Sequence, residues 1–274
     1  MRIEPFFADD IEPFLKLAAA EGWVAEPWEF RFLLNEFPEG CYVARDDRGG
    51  TVGFVTSLRH ERSGWIGNLI VAAAYRGRGI GESLFIKVQE ACQAAGVETL
   101  WLTASKSGQS LYEKHGFIQI DTIIRWIGAG RQRHATVFGT TDKDCLADSS
   151  CALDCQAWGD SRTTLLEATA QRGTCHQHES GFIVLQPCCN AMQFGPFLSV
   201  DAGGAERLFD DAARSVALGT KIVLDAPASN RSGLRLFNRR KMRIAGSNSL
   251  MYAGRKPDYR PEQIYGLATM GSCG

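Results

Sequence analysis

Residues 66–85 read IGNLIVAAAYRGRGIGESLF, an apolar run, a glycine-rich turn and the start of an amphipathic stretch in direct succession. Residues 65–71 are nearly continuously apolar, as in a strand central in its sheet. Arg76, Gly79 and Gly81 then follow the spacing Arg-x-x-Gly-x-Gly. From Ile80 onward, Leu84, Phe85, Val88, Cys92 and Ala95 fall on one helical face, and Gly96 stops the run. Glycine lets the backbone turn tightly and approach a ligand with no Cβ in the way. The N–H groups at the helix start, with the partial positive charge of the helix end, favour an anion. Such a turn suits a pyrophosphate. Two other phosphate motifs do not fit, because the dinucleotide pattern needs glycine at Glu82 and a P-loop needs Gly-Lys-Ser/Thr.

Working outward, Asp9 and Asp10 open a helical spacing through Ile11, Phe14, Leu15, Ala18 and Ala19. Pro27 suits the first turn of a second helix. Residues 41–45 and 51–58 read as strands joined by the turn Asp46-Asp47-Arg48-Gly49-Gly50. Downstream, 99–103 is a strand, 109–115 a short helix and 117–127 a strand region. Strands flanking a helix at this spacing predict a right-handed β-α-β crossover at the centre of the sheet.

The quoted stretch, followed by LTASKSGQSLYEKHGF at 102–117, closely resembles the Gcn5-related N-acetyltransferase (GNAT) superfamily, with both motifs in its order and spacing. The two motifs cover about residues 65–117, and the weaker pattern of strands and helices extends the likeness to roughly 1–130. The resemblance implies transfer of an acetyl group from acetyl-CoA to an amine. It implies that Leu69, Ile70 and Val71 pair with the pantetheine arm, beside the strand at 99–103. Backbone amides of Gly77, Arg78, Gly79, Ile80 and Gly81 would hold the pyrophosphate, and Arg76 and Arg78 would add charge-assisted contacts. Tyr112 matches the tyrosine that commonly protonates the departing thiolate, sensible chemistry for a phenol of ordinary pKa near 10. Ser105 departs from the pattern, since many members carry asparagine there. Trp23 and Trp28 lie where the superfamily often shapes its acceptor pocket. The amine must lose a proton before attack; Glu61, His60 and Asn68 lie on or near the strands facing the acceptor, a water chain could serve as well, and the base is left unassigned. Asn68 is also counted with Trp23 and Trp28 on the acceptor side.

The second half echoes the first. Leu84-Phe85, Val88 and Cys92 have counterparts in Leu208-Phe209, Ala212 and Val216, residues 96–102 in 219–225, and residues 110–117 in 235–242. Helices are expected at 160–170, 205–218 and 234–240, and strands at 181–186, 194–200 and 221–225. The turn at 201–207, DAGGAER, is shorter, lacks Arg-x-x-Gly-x-Gly and offers Asp201, the wrong charge for a phosphate. Phe237 stands at the position of Tyr112 and cannot donate a proton. The phrases WGDSRTTLL, FGPFLSVDA and IYGLATMGSCG resemble tandem bacterial members with a degenerate second copy. The expected fold class is therefore α/β (α+β), with two tandem acetyltransferase-like domains. Each would be a mixed, mostly antiparallel twisted sheet flanked by helices around a central β-α-β crossover. The expected division is an acetyl-CoA-binding domain at 1–130, a linker at 131–150 and the degenerate domain at 151–274.

Composition agrees with a globular protein. Of 274 residues, 45% are hydrophobic and 22% charged, and the net charge of -1 gives no electrostatic reason to expect nucleic acid or an acidic membrane as partner. The start MRIEPFFADD lacks the basic opening and apolar core of a signal peptide, so a cytoplasmic location is expected. The nine cysteines are then read as reduced thiols. Cys145, Cys151, Cys155, Cys175, Cys188 and Cys189, with His176 and His178, contain no C-x-x-C pair. Cys151 and Cys155 suit one helix face, so no metal is expected. The partner is a small-molecule or peptide amine, and the second copy is a scaffold, a homodimerisation surface or a pocket wall. The competing reading is a non-catalytic CoA or acyl-CoA sensor, which amine turnover would separate from an enzyme.

Overall fold

The computed structural model describes residues 1–132 and 146–274. They divide into two compact units. Unit one holds Met1–Leu102, Ala253–Arg255 and Cys273; unit two holds the described residues of Thr103–Tyr252, together with Lys256–Ser272 and Gly274.

Unit one contains β1 (Arg2–Pro5), α1 (Ile11–Ala20), α2 (Pro27–Glu36), β2 (Tyr42–Arg45), β3 (Thr51–Arg59), β4 (Ser63–Val71), α3 (Ile80–Ala94) and the first part of β5 (Thr99–Ala104). Neighbours from β1 to β4 pair antiparallel in chain order, and β5 lies parallel to β4 after the α3 crossover. The face of α3 that the spacing predicts is the face it buries: Leu84, Phe85, Val88 and Cys92 are all closed to solvent. Phe6, Phe14, Phe30 and Phe54 join α1 and α2 to β3, with the Phe14 and Phe30 ring centroids 4.3 Å apart. Residues Ala253–Arg255 border β5, where the Arg255 N–H donates to the Glu98 carbonyl at 2.9 Å. Thr99 Oγ1 donates to the Arg255 carbonyl at 2.8 Å.

Unit two contains α4 (Gln109–Lys114), β6 (Ile118–Ala129), α5 (Asp148–Trp158), α6 (Thr163–Arg172), β7 (Thr174–His178), β8 (Gly181–Cys188), β9 (Ala191–Ser199), α7 (Ala202–Ser215), β10 (Lys221–Pro227), α8 (Arg231–Arg239), β11 (Arg243–Gly254) as far as Tyr252, and β12 (Ile264–Gly266). Its strands run β11-β6-β10-β9-β8-β7, with β12 on β9. The parallel pair β9 and β10, joined through α7, repeats the crossover of unit one. Trp126, Phe194, Phe197, Phe209, Phe237 and Tyr265 form its aromatic core.

The strand β6 belongs by sequence to the first repeat, yet it is paired antiparallel on one side with β10 and on the other with β11. Those hydrogen bonds, and not chain order, assign it to unit two. Residues 133–145 of the expected linker, with Cys145, lie outside the described residues. Cys151 and Cys155 share α5, and no group of three or more His, Cys, Asp or Glu among the described residues is placed to hold a metal ion. Cys41 and Cys92 are buried thiols, and burial pushes them up to about 12 and about 11. No described helix is long and apolar enough to cross a membrane.

Candidate functional site

In unit one, α3 begins without a side-chain cap. Its N-cap is Gly79, left-handed at φ 76°, and Gly77 before it is left-handed at φ 74°. A Cβ at either position would meet nothing within 4 Å, so backbone conformation and not crowding calls for glycine there. The first intrahelical bond runs from Ser83 N–H to the Gly79 carbonyl. The amides of Ile80 and Gly81 therefore precede the helical ladder and face the open end. This arrangement fits a pyrophosphate, because it offers uncapped donors at the positive helix end and no side chain above them. Arg76 Nε donates to the Val71 carbonyl at 2.9 Å and its Nη2 pairs with Glu21 at 2.6 Å. Arg78 donates to the Ala74 carbonyl and lies 5.2 Å over the Tyr75 ring.

The strand leading into this turn is bulged. Thr56 pairs with Gly67 and Phe54 with Ile70, so β4 carries one residue more than β3 between those pairs. Asn68 sits in the bulge at φ 56°, a conformation that asparagine tolerates better than most residues. Its Nδ2 donates to Glu29 Oε1 at 2.9 Å and to Thr56 Oγ1 at 3.0 Å. Pairing of β4 with β5 ends at Trp65 and Trp101, so Leu69, Ile70 and Val71 extend beyond that ladder.

Glu29 escaped the sequence reading. It lies on α2, is 8% exposed, and shares the buried face of Phe30 and Leu33. A carboxylate on the core face of an otherwise apolar helix was the available signal. The other base candidates lie apart: His60 and Glu61 are at the hairpin before β4, with Glu61 roughly 23 Å along the strand from Asn68 at about 3.3 Å per residue. Trp28, half-buried on α2, packs on Phe32 with centroids 6.3 Å apart, while Trp23 follows α1 and is exposed.

In unit two, Tyr112 lies on α4, buried against Phe117 at 6.1 Å between centroids. Burial pushes its phenol up to about 12. Ser105 begins this segment, its Oγ accepting from the Gly108 N–H at 3.3 Å. In the second repeat, Phe237 is fully buried on α8, and α7 opens at Asp201, whose carboxylate accepts from the Gly204 N–H at 2.7 Å. A concavity of about 500 Å³ on α7 is lined by arginines and carboxylates. Among them Arg240 pairs with Asp210 at 2.7 Å through both Nε and Nη2.

Residues 38–119 match the family described as Acetyltransferase (GNAT) domain, and residues 150–266 match a second family of the same description. The chain is 30% identical over 139 residues to N-alpha-acetyltransferase 30 of Saccharomyces cerevisiae, covering 44% of this chain and 78% of that protein. It is 31% identical over 98 residues to the [Ribosomal protein bS18]-alanine N-acetyltransferase of Haemophilus influenzae, covering 35% of this chain and 67% of that protein. Among solved structures, a Pyrococcus horikoshii protein provisionally classed as an acetyltransferase aligns over 100% of this chain and 95% of its own. Its TM-score is 0.86 at 24% identity. A GCN5-related N-acetyltransferase from Sphaerobacter thermophilus aligns over 97% and 98% with a TM-score of 0.62 at 17% identity. Both likenesses speak to the fold of the whole chain.

Proposed function

The chain belongs to the GNAT acetyltransferase family and is an acyltransferase, and on that premise we propose that its first repeat acetylates the α-amino group of a polypeptide. The donor is acetyl-CoA, which supplies an activated thioester. The observation that carries the reading is the contact of Glu29 with Asn68 at the bulge of β4. It sets a buried carboxylate beside the strand that resembles the family's pantetheine-pairing strand, and the uncapped start of α3 follows that strand. The curated relatives named above, N-alpha-acetyltransferases and a protein-alanine N-acetyltransferase, support an α-amine as acceptor.

In this reading the residues divide the work. Gly79, Ile80 and Gly81 hold phosphate oxygens with backbone amides. Glu29, oriented by Asn68, attracts the acceptor ammonium and takes its proton, directly or through one water. The freed amine attacks the thioester carbonyl; the C–N bond forms, the C–S bond breaks and the nitrogen sheds its second proton, while the thiolate takes one up from Tyr112, the acid that the family resemblance supplies, which is reprotonated from solvent. Trp28 and Trp23 border the acceptor.

The test is turnover of acetyl-CoA with peptides bearing free or blocked N-termini. Free peptides should be acetylated and blocked ones not; acetylation of lysine side chains alone would replace the α-amine reading. Glu29→Gln keeps the Asn68 contact but loses the base, so kcat/KM should fall by about 100- to 10,000-fold with CoA affinity retained. An unchanged kcat/KM would remove Glu29 from the mechanism.

A further inference from the structure

Both repeats carry the same bulge at the same place. Between Thr56–Gly67 and Phe54–Ile70 the register of β4 slips by one residue, and between Leu185–Phe194 and Ile183–Phe197 the register of β9 slips in the same sense. Matching the registers sets Asn68 on Gly195, Leu69 on Pro196, Ile70 on Phe197 and Val71 on Leu198. The parallel ladders are alike too: residues 63–65 pair with 99–101, and residues 191–193 with 221–223, and each ladder ends there. A wedge between the two parallel strands follows in each repeat.

In the second repeat that wedge is filled. Antiparallel to β9, Ile264 stands opposite Leu198 and Gly266 opposite Phe197. On the other flank the Leu267 N–H donates to the Asp225 carbonyl of β10 at 2.8 Å. The side-chain amides of Gln186 and Gln193 both donate to the Ala268 carbonyl, at 2.8 and 3.1 Å. Ile264, Tyr265, Leu267 and Ala268 are each no more than 1% exposed, as closed as the core itself. Asp201, meanwhile, turns its carboxylate onto the start of α7, where α3 has only Gly79.

We infer that the second repeat is a cofactor cleft occupied by its own chain. Residues 264–268 take the place of a pantetheine arm along β9, and the Asp201 carboxylate takes the place of a phosphate at the helix start. The inference rests on the function proposed above, together with the pairing of Leu69, Ile70 and Val71 with that arm that the family resemblance implies for the first repeat. A polypeptide strand is an apt stand-in, because a pantetheine arm also presents amide donors and acceptors to a strand edge. The occupant is tethered to the cleft by the chain, so free CoA competes against a very high effective concentration.

Hydrogen exchange of the whole chain, with and without saturating CoA, tests this. Amides of residues 197–199 and 264–268 should exchange at core rates and be unmoved by CoA, while those of 69–71 slow at least tenfold. Calorimetry should give one CoA per chain. A CoA-dependent change at 197–199 or 264–268, or a second equivalent, would overturn the inference. No response at 69–71 would instead overturn the proposed first site and remove the analogy with it. Gly266→Leu supplies a second readout, since a Cβ there would come within 2.7 Å of the Phe194 carbonyl and push the strand out. Exchange at 197–199 should then accelerate together with 264–268, with the response at 69–71 kept. Slow exchange at 197–199 beside a released 264–268 would show that the strand is not what fills the cleft.

Discussion

Tyr112 and Glu29 show how differently two residues of one proposed mechanism reveal themselves. Tyr112 was legible because its neighbours in sequence, LYEKHGF, make the motif. Glu29 was not, because its significance arises from a hydrogen bond to Asn68, 39 positions away and across a bulge. The structure adds a pH consequence for Tyr112. Burial raises its pKa from 10.0 to about 12, so the phenol keeps its proton throughout the neutral and mildly alkaline range. An acid must be protonated to act, hence a raised pKa extends its working range upward. The acceptor amine works in the opposite sense, reacting only once deprotonated, near pH 8 for an α-amine against roughly 10.4 for lysine. Because Glu29 draws the proton from the bound ammonium, kcat at saturating peptide is the quantity that reports the acid, and it should show no fall before about pH 11. A decline with a midpoint near 10 would mean that Tyr112 is not the acid, or that its phenol is less buried with substrates bound. Tyr112→Phe should leave CoA affinity intact and lower kcat by about 100- to 10,000-fold. Equal rates for variant and parent would pass the proton's source to water.

At the scale of elements, the same helix start is built in two ways. Asp201 caps α7 with its own carboxylate, whereas Gly79 leaves α3 uncapped. Aspartate introduced at Gly79 should imitate the second repeat, and a control separates this from strain. Gly79→Ala places its Cβ in open space and meets only the left-handed backbone cost, about 1–2 kcal/mol. It should melt at a lower temperature yet still bind CoA. Gly79→Asp should suffer similar strain and lose CoA binding as well, read by calorimetry; retained affinity in the folded aspartate variant would dismiss the turn as cradle. Legibility at this scale followed periodicity. The helix α3 and strand β4 announced themselves through apolar spacing, but α7 was expected at 205–218 and runs Ala202–Ser215. The Asp201 cap starts it early and Val216, at ψ 130°, has already left it. The strands β7 and β11 carried no alternation to read: TCHQH is largely exposed, and RIAGSNSLMYAG becomes a strand by pairing with β6.

For the whole molecule, the sequence repeats are visible but the way their strands are shared is not. Repetition is a property of local pattern, whereas a compact unit is defined by which backbone groups pair, and β6 pairs with partners from much later in the chain. The consequence is a prediction about truncation. A fragment ending near residue 130 contains the whole first repeat by sequence. It would, however, lose β10 and β11 from the two edges of β6, and Ala253–Arg255 from the edge of β5. Arg125, which makes a bidentate pair with Asp225 at 2.8 and 2.7 Å, would lose its partner. Trp126, 1% exposed in the aromatic core, would lose Phe237 at 5.5 Å. A strand stripped along both edges exposes rows of unpaired donors and acceptors and invites aggregation. The fragment 1–130 should therefore be poorly soluble or lack a cooperative thermal transition, even in the presence of CoA. Supplying residues 146–274 as a separate chain during refolding should recover soluble material that co-purifies as a one-to-one pair. A monomeric 1–130 fragment that melts cooperatively and acetylates peptides would show that β6 is dispensable to the first repeat, and that the later strands merely cover it.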